Sequence, residues 1–184
     1  MNDEARREEA AAVMRQADCL YTKAEVEAAF DRMATAINRD LHGGDVLLIC
    51  VMNGGLVASG ILLPRLDVQL RVDYLHASRY RERTTGDQLH WKVEPAQSLA
   101  GKDLLIIDDI LDEGYTLDAI IRYCRQHSPA SVRAAVLVRK EHGRGVRPPV
   151  DYIGLSVPDR YVFGYGMDYK GYWRNAPGIY AVAE

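Results

Sequence analysis

The residues whose types and spacing suggest chemistry most plainly lie in one run, Leu104-Leu-Ile-Ile-Asp108-Asp109-Ile-Leu-Asp112-Glu113-Gly114-Tyr115-Thr116-Leu117. An apolar stretch ends in two carboxylates, a third follows three residues later, and a Gly-x-Thr turn then opens a helical pattern. A helix N-terminus presents backbone N–H groups with no acceptor one turn back, and the positive end of the helix dipole, a combination that suits a phosphate dianion. Gly114 lets the backbone approach such an anion closely, and the Thr116 hydroxyl can donate to it or cap the helix. At a strand end the side chains of Asp108 and Asp109 diverge, so they need not share one ion; sugar hydroxyls and a hydrated Mg2+ are suitable joint partners. A solvated acidic turn with an ordinary threonine cap is the plain alternative.

Three further places carry related signals. Met52-Asn53-Gly54-Gly55 follows an apolar run, and its glycines permit backbone N–H groups to line a pyrophosphate, although a simple strand-to-helix turn fits as well. Lys140 follows another apolar run, where a lone lysine is ordinarily solvated. In Val157-Pro-Asp-Arg-Tyr161-Val162-Phe163-Gly-Tyr165-Gly-Met-Asp168-Tyr169, Tyr161 can stack on a planar base and backbone groups around Val162 can read its edge, while Phe163 and Tyr165 read as packing for a small hood.

The elements that must position these groups follow from periodicity. Thr22-Lys-Ala-Glu25 has the capping-box pattern, and Val26, Phe30, Met33 and Ile37 recur at helical spacing, which predicts a helix over 23–38. Short apolar runs at 45–51 and 103–107 predict strands covered on both faces. Strands are also predicted over 68–75, 131–138 and 152–157, with helices over 56–63 and from Leu117 through Cys124. Residues 78–93 are polar and without period, which predicts a long loop or mobile hairpin of the kind that often closes an active site. The tail from Pro158 reads as compact but irregular. Strands alternating with helices predict an α/β fold with a three-layer parallel sheet, whose ligands gather beyond the carboxyl ends of the strands.

Composition narrows the function classes. The 184 residues, 48% hydrophobic and 27% charged, suffice for one domain with a sizeable core. A net charge of -3 and a pI near 6.0 give no general reason to expect nucleic acid or an anionic membrane as partner. Cys19, Cys50 and Cys124 are odd in number and form neither a disulfide framework nor a zinc pattern, so a reducing cytosol is the expected compartment. The charged start, MNDEARREEAAAVMRQ, lacks the apolar core of a signal peptide, and no apolar run is long enough to span a bilayer.

The run from Leu104 to Leu117 closely resembles the phosphoribosyl pyrophosphate (PRPP) binding motif of the type I phosphoribosyltransferases. From about Leu20 onward the chain is similar to that family's hypoxanthine-guanine branch in a bacterial form. The resemblance implies one phosphoribosyltransferase domain over 1–184, with a mobile lid at about 78–93 and a hood built mainly from 158–184 with the N-terminal segment. It implies transfer of the phosphoribosyl group from PRPP to a 6-oxopurine with Mg2+ as cofactor, in a homo-oligomer, dimer or tetramer.

Residue by residue, it assigns Asp108 and Asp109 to the PRPP ribose hydroxyls and Mg2+. Asp112, Glu113, Gly114, Tyr115 and Thr116 become the 5-phosphate loop, and Asp112 the general base facing N7 of the purine. Met52, Asn53, Gly54 and Gly55 become the pyrophosphate loop, with a cis peptide between Met52 and Asn53, and Asn53 stands where several relatives carry lysine. Lys140 matches the lysine that donates to the purine O6, a contact that favours a 6-oxo over a 6-amino base. Tyr161 and Val162 match residues that hold the purine, Asp168 an acid near the purine and a second Mg2+, and Arg174 an arginine near the pyrophosphate. Tyr80 is the counterpart of the lid tyrosine, with Arg79 standing between Ser78 and Tyr80.

Two rivals belong to other classes. A purine- or PRPP-sensing regulator on the same fold calls for an added basic nucleic-acid module, and the segment before Leu20 is short and mixed in charge. A phosphate-accepting receiver domain needs its acid pair near the N-terminus, whereas Asp108 and Asp109 lie past mid-chain.

Overall fold

The structure, a computed structural model, describes residues 3–79 and 89–184. Its frame is a six-stranded sheet that runs in space β4 (Leu89–Val93), β3 (Leu70–Arg79), β2 (Val46–Val51), β5 (Asp103–Leu111), β6 (Ser131–Glu141), β7 (Tyr152–Pro158). Every neighbouring pair is parallel except β3 with β4, which is antiparallel and forms one edge. The chain thus reverses direction of travel across the sheet between β3 and β5, on either side of β2, which is where open α/β sheets place their crevice.

Alternation along the central strands feeds two separate cores. Val46, Leu48, Cys50, Leu105 and Ile107 pack against α2 (Lys23–Leu41) and α3 (Gly55–Leu62), while Leu47, Ile49, Val51, Leu104 and Ile106 pack against α4 (Tyr115–Gln126). All six residues of β2 are buried, as the unbroken apolar run requires. The α2 helix starts where expected: Thr22 N donates to Glu25 Oε2 at 2.8 Å, and Glu25 N donates back to Thr22 Oγ1 at 3.4 Å.

Several strands run past their apolar stretches. β5 continues to Leu111 and β6 to Glu141, paired as far as Leu111 with Arg139, so Asp108, Asp109 and Lys140 are inside strands and not beyond them. Hydrophobicity marks where a strand is covered; the ladder goes on as long as a partner backbone is present. Pro64 likewise falls within a short 3-10 turn, Leu63–Arg65, after α3. Within the stretch predicted as a long loop or mobile hairpin, β3 extends to Arg79 and pairs antiparallel with β4, as the hairpin alternative requires, in a register that joins Ala77 to Trp91 and Arg79 to Leu89. Tyr80 lies outside the described residues.

The tail is more regular than its sequence suggests. β8 (Val162–Phe163) and β9 (Gly178–Ala181) join β1 (Asp18–Thr22) in a second, antiparallel sheet of order β1-β9-β8. The helix α1 (Asp3–Gln16) lies against it through Ala10, which packs with Phe163 and Tyr169, and Trp173 Nε1 donates to Ala10 O at 2.7 Å. Among the described residues no helix is long and apolar enough to cross a membrane.

Candidate active site

A cavity of about 490 Å³ opens at the carboxyl ends of β2, β5 and β3. The whole 112–116 turn lines it, with Asp108, Asp109, Met52, Gly54 and Arg174. Asn53 is exposed beside it, and the peptide joining Met52 to Asn53 is cis. Gly54 and the acid pair are interdependent, because a Cβ at Gly54 would lie 2.1 Å from Asp109 Oδ2. Only a bare backbone lets that carboxylate sit against the β2–α3 turn.

Asp108 and Asp109 are 9% and 8% exposed. Asp109 N donates to Asp108 Oδ1 at 2.9 Å, which fixes the Asp108 carboxylate, and each carboxyl affects the other's titration. Burial pushes both carboxyls above the ordinary range, Asp108 well above it because the neighbouring Asp109 charge adds to the effect. Arg174 opposes the rise in both, its Nη1 standing 4.0 Å from Asp109 Oδ2.

The turn into α4 lies where the sequence predicts it, with a glycine cap. Gly114 is the N-cap of α4 at φ 80°, and Thr116 lies inside the first turn, so the threonine does not cap the helix. A Cβ at Gly114 would meet Val146 O at 2.3 Å, so the loop after β6 fits against the turn only because this residue is glycine.

Asp112 is bound from two sides. Lys140 Nζ donates to its Oδ2 at 2.8 Å, and His142 Nε2 stands 2.8 Å from its Oδ1. Burial alone would raise this carboxyl, but the hydrogen bonds from Lys140 and His142 outweigh that and hold it below the ordinary carboxylate range. Arg144, which also lines the cavity, makes a two-pronged contact with Asp159 at 2.5 and 2.8 Å. His142, Arg144 and Asp159 were not singled out from the sequence. The available signal was their crowding just beyond the ends of β6 and β7, the edge where ligands collect.

Lys140, Tyr161, Val162 and Asp168 are not part of the cavity wall, yet Lys140 and Asp168 are joined to residues that are, and Tyr161 is joined to Asp168. Lys140 reaches Asp112 directly. Asp168 Oδ1 pairs with Arg174 Nη2 at 2.5 Å and its Oδ2 accepts from Gly171 N at 2.6 Å, so both oxygens are engaged. Tyr161 is 51% exposed, donates from its hydroxyl to Asp168 O at 3.2 Å and packs edge-on to Tyr169. Val162 is buried in the core, which leaves only its backbone to read a base. Arg79 ends β3 and nothing is described of its side chain.

The description "Phosphoribosyl transferase domain" belongs to a family model that matches residues 16–170. The hypoxanthine-guanine phosphoribosyltransferase of Pan troglodytes is 28% identical over 164 residues, covering 84% of this chain and 75% of that protein. A crystal structure of a hypoxanthine phosphoribosyltransferase from Staphylococcus aureus superposes with a TM-score of 0.88 at 25% identity, covering 94% of this chain and 95% of the other. One of a hypoxanthine-guanine phosphoribosyltransferase from Bacillus anthracis gives a TM-score of 0.83 at 26% identity, covering 90% and 97%. The matched segment takes in the whole six-stranded sheet, the 112–116 turn and strands β1 and β8 of the second sheet, and on that extent the chain belongs to the phosphoribosyl transferase domain family.

Proposed function

We propose that the protein is a purine-salvage enzyme that transfers the 5-phosphoribosyl group from PRPP to hypoxanthine or guanine, giving IMP or GMP and pyrophosphate. The observation that carries this reading is the sharing of one cavity by the 112–116 turn, the Asp108–Asp109 pair and Arg174, with Lys140 held at its edge by Asp112. Under this reading the first turn of α4 receives the 5-phosphate through backbone N–H groups. Residues 52–55 and Arg174 take the pyrophosphate, and the ribose hydroxyls meet Asp108 and Asp109. Lys140 donates to O6, Tyr161 stacks on the base, the backbone at Val162 reads its edge and Asp112 accepts the N7 proton or its hydrogen bond. Adenine is disfavoured because its 6-amino group would set donor against donor at Lys140.

Mg2+ fits the acid pair, since a hard cation takes oxygen ligands and two buried carboxylates of like charge gain most from one. When bound, it neutralises charge on the departing pyrophosphate. Asp168 is less ready as a ligand for a second ion, because Arg174 and Gly171 would have to release it. The bond from C1 of the ribose to pyrophosphate breaks ahead of the bond to the purine nitrogen, which leaves a cationic sugar that water must not reach; closure by the 78–93 segment would serve that end. The three free cysteines agree with a reducing, cytoplasmic setting. Half-exposed Leu56, Val72 and Tyr74 agree with a homo-oligomer, dimer or tetramer.

The direct test incubates the protein with PRPP, Mg2+ and hypoxanthine, guanine or adenine and follows nucleotide formation by absorbance. IMP and GMP are expected and AMP is not. Absence of any nucleotide with all three bases would end this assignment.

A further inference from the structure

We infer that His142 is a positioning residue for Asp112: it fixes Oδ1 of the carboxylate, so that Oδ2 stays aimed at the purine after Lys140 has left it for the base. The inference rests on the proposed transfer reaction and adds to it a residue with no role assigned above.

The His142 side chain is 4% exposed, and its Nε2 lies 2.8 Å from Asp112 Oδ1. The other ring nitrogen settles the direction of that bond. Arg144 N, which can only donate, points at His142 Nδ1 at 3.2 Å, and Arg147 Nη2 stands 3.5 Å from the same atom. Nδ1 therefore offers its lone pair, the ring proton is on Nε2, and it is donated to Asp112. Arg147 locks the arrangement from outside, with Nη1 donating to Asp112 O at 3.3 Å and Nη2 to His142 O.

A carboxylate held at one oxygen keeps its plane; one held at neither turns about its last torsion and loses aim, to which reactivity is sensitive. Lys140 is the poorer hold during reaction, because it binds Oδ2, the oxygen the purine must meet, and its ammonium has also to serve O6. His142 can, because its donor is spent on Oδ1 and its lone pair on Arg144. Among the described residues, the groups facing Asp112 are Lys140 and His142 from β6 and the loop after it, Arg144 and Arg147 from the same loop, Asp159 beyond β7, and the adjoining Glu113. Asp112, His142 and Asp159 approach closely enough to suggest a cation site, but Lys140 and Arg144 already pair with the two carboxylates, so the cluster is an ion-pair network.

The test compares wild type, His142→Ala and His142→Gln, since a glutamine amide can place an N–H near the position of Nε2. Steady-state kinetics would be combined with a carbon-13 NMR titration of the Asp112 carboxyl without substrates. For His142→Ala we expect kcat to fall roughly tenfold, about the worth of one hydrogen bond to a charged group, with KM for PRPP little changed. Loss of the donor should also move the Asp112 titration and the acid limb of kcat/KM to higher pH, and His142→Gln should restore most of both. An active wild type whose alanine variant keeps its kcat and its Asp112 titration would overturn the role of His142 alone, as would a glutamine variant no better than alanine. A wild type that forms no nucleotide would overturn the transfer reaction and the positioning role with it, while the titration would still report whether His142 holds Asp112.

Discussion

Lys140 Nζ and Asp112 Oδ2 stand 2.8 Å apart, an ion pair between two groups that the proposed reaction needs separately. The pairing of β5 with β6 carries both residues to the same edge, and in the absence of a purine each neutralises the other. A base must therefore draw the ammonium away from the carboxylate as it binds. Lys140→Met is expected to raise KM for hypoxanthine about 10- to 100-fold, the worth of one hydrogen bond to a charged donor, with a much smaller change in KM for PRPP. Equal effects on both substrates in steady-state assays would remove Lys140 from the purine.

The same pair fixes a pH signature. In the free protein the hydrogen bonds from Lys140 and His142 more than offset burial, so Asp112 loses its proton below the ordinary carboxylate range. Activity that needs the carboxylate is lost as pH falls through that lowered value, and kcat/KM reports it. In the complex Lys140 has turned to O6, the charged donor on Asp112 is exchanged for the weaker neutral N7–H, and the carboxyl rises. The acid limb of kcat is thus expected at higher pH than that of kcat/KM. Coincident limbs would mean that Lys140 does not leave Asp112. Asp112→Asn should leave PRPP binding largely intact, by isothermal titration, while kcat falls about 10²- to 10⁴-fold.

The acid pair trades stability for binding. Asp108 and Asp109 bury like charges side by side, a cost that a neutral amide would relieve. Asp108→Asn is expected to raise Tm in the metal-free protein, about 2–4 °C for each kcal/mol gained, while Mg2+ with PRPP raises Tm of the wild type and not of the variant. A variant that melts lower without ligand, or that still responds to Mg2+ with PRPP, would contradict this account.

Much of the fold was legible because burial leaves a pattern. The unbroken run of β2 and the i, i+4, i+7 stripe of α2 each state which faces are covered, and the Thr22–Glu25 box marks the start of a helix. What the pattern could not show was extent. Asp108, Asp109 and Lys140 continue their strands through ladder hydrogen bonds that carry no side-chain signature. β8 and β9 escaped because strands of two and four residues are too short to display a period. In the site, the 112–116 turn could be read because helix entry demands glycine and small polar residues in sequence order. His142, Arg144 and Asp159 could not, because their meaning comes from reaching Asp112 and each other across separate segments.

The cap of α4 separates two residues that the sequence presents as alike. Gly114 sits at φ 80°, and a Cβ there would lie 2.3 Å from Val146 O and 2.8 Å from Pro148 Cδ. Gly114→Ala therefore has to force apart the turn and the 142–148 loop, the loop that also carries His142. It is expected to cost more than about 1 kcal/mol in thermal or urea denaturation and to raise KM for PRPP. Thr116, by contrast, is within the first turn and caps nothing. Thr116→Ala should leave stability within about 0.5 kcal/mol of wild type, because no cap is lost, while still weakening PRPP binding through the missing hydroxyl. If Thr116→Ala instead destabilised the fold as a lost cap does and left PRPP binding alone, the turn would be a structural feature of the helix and its assignment to the phosphate would be wrong.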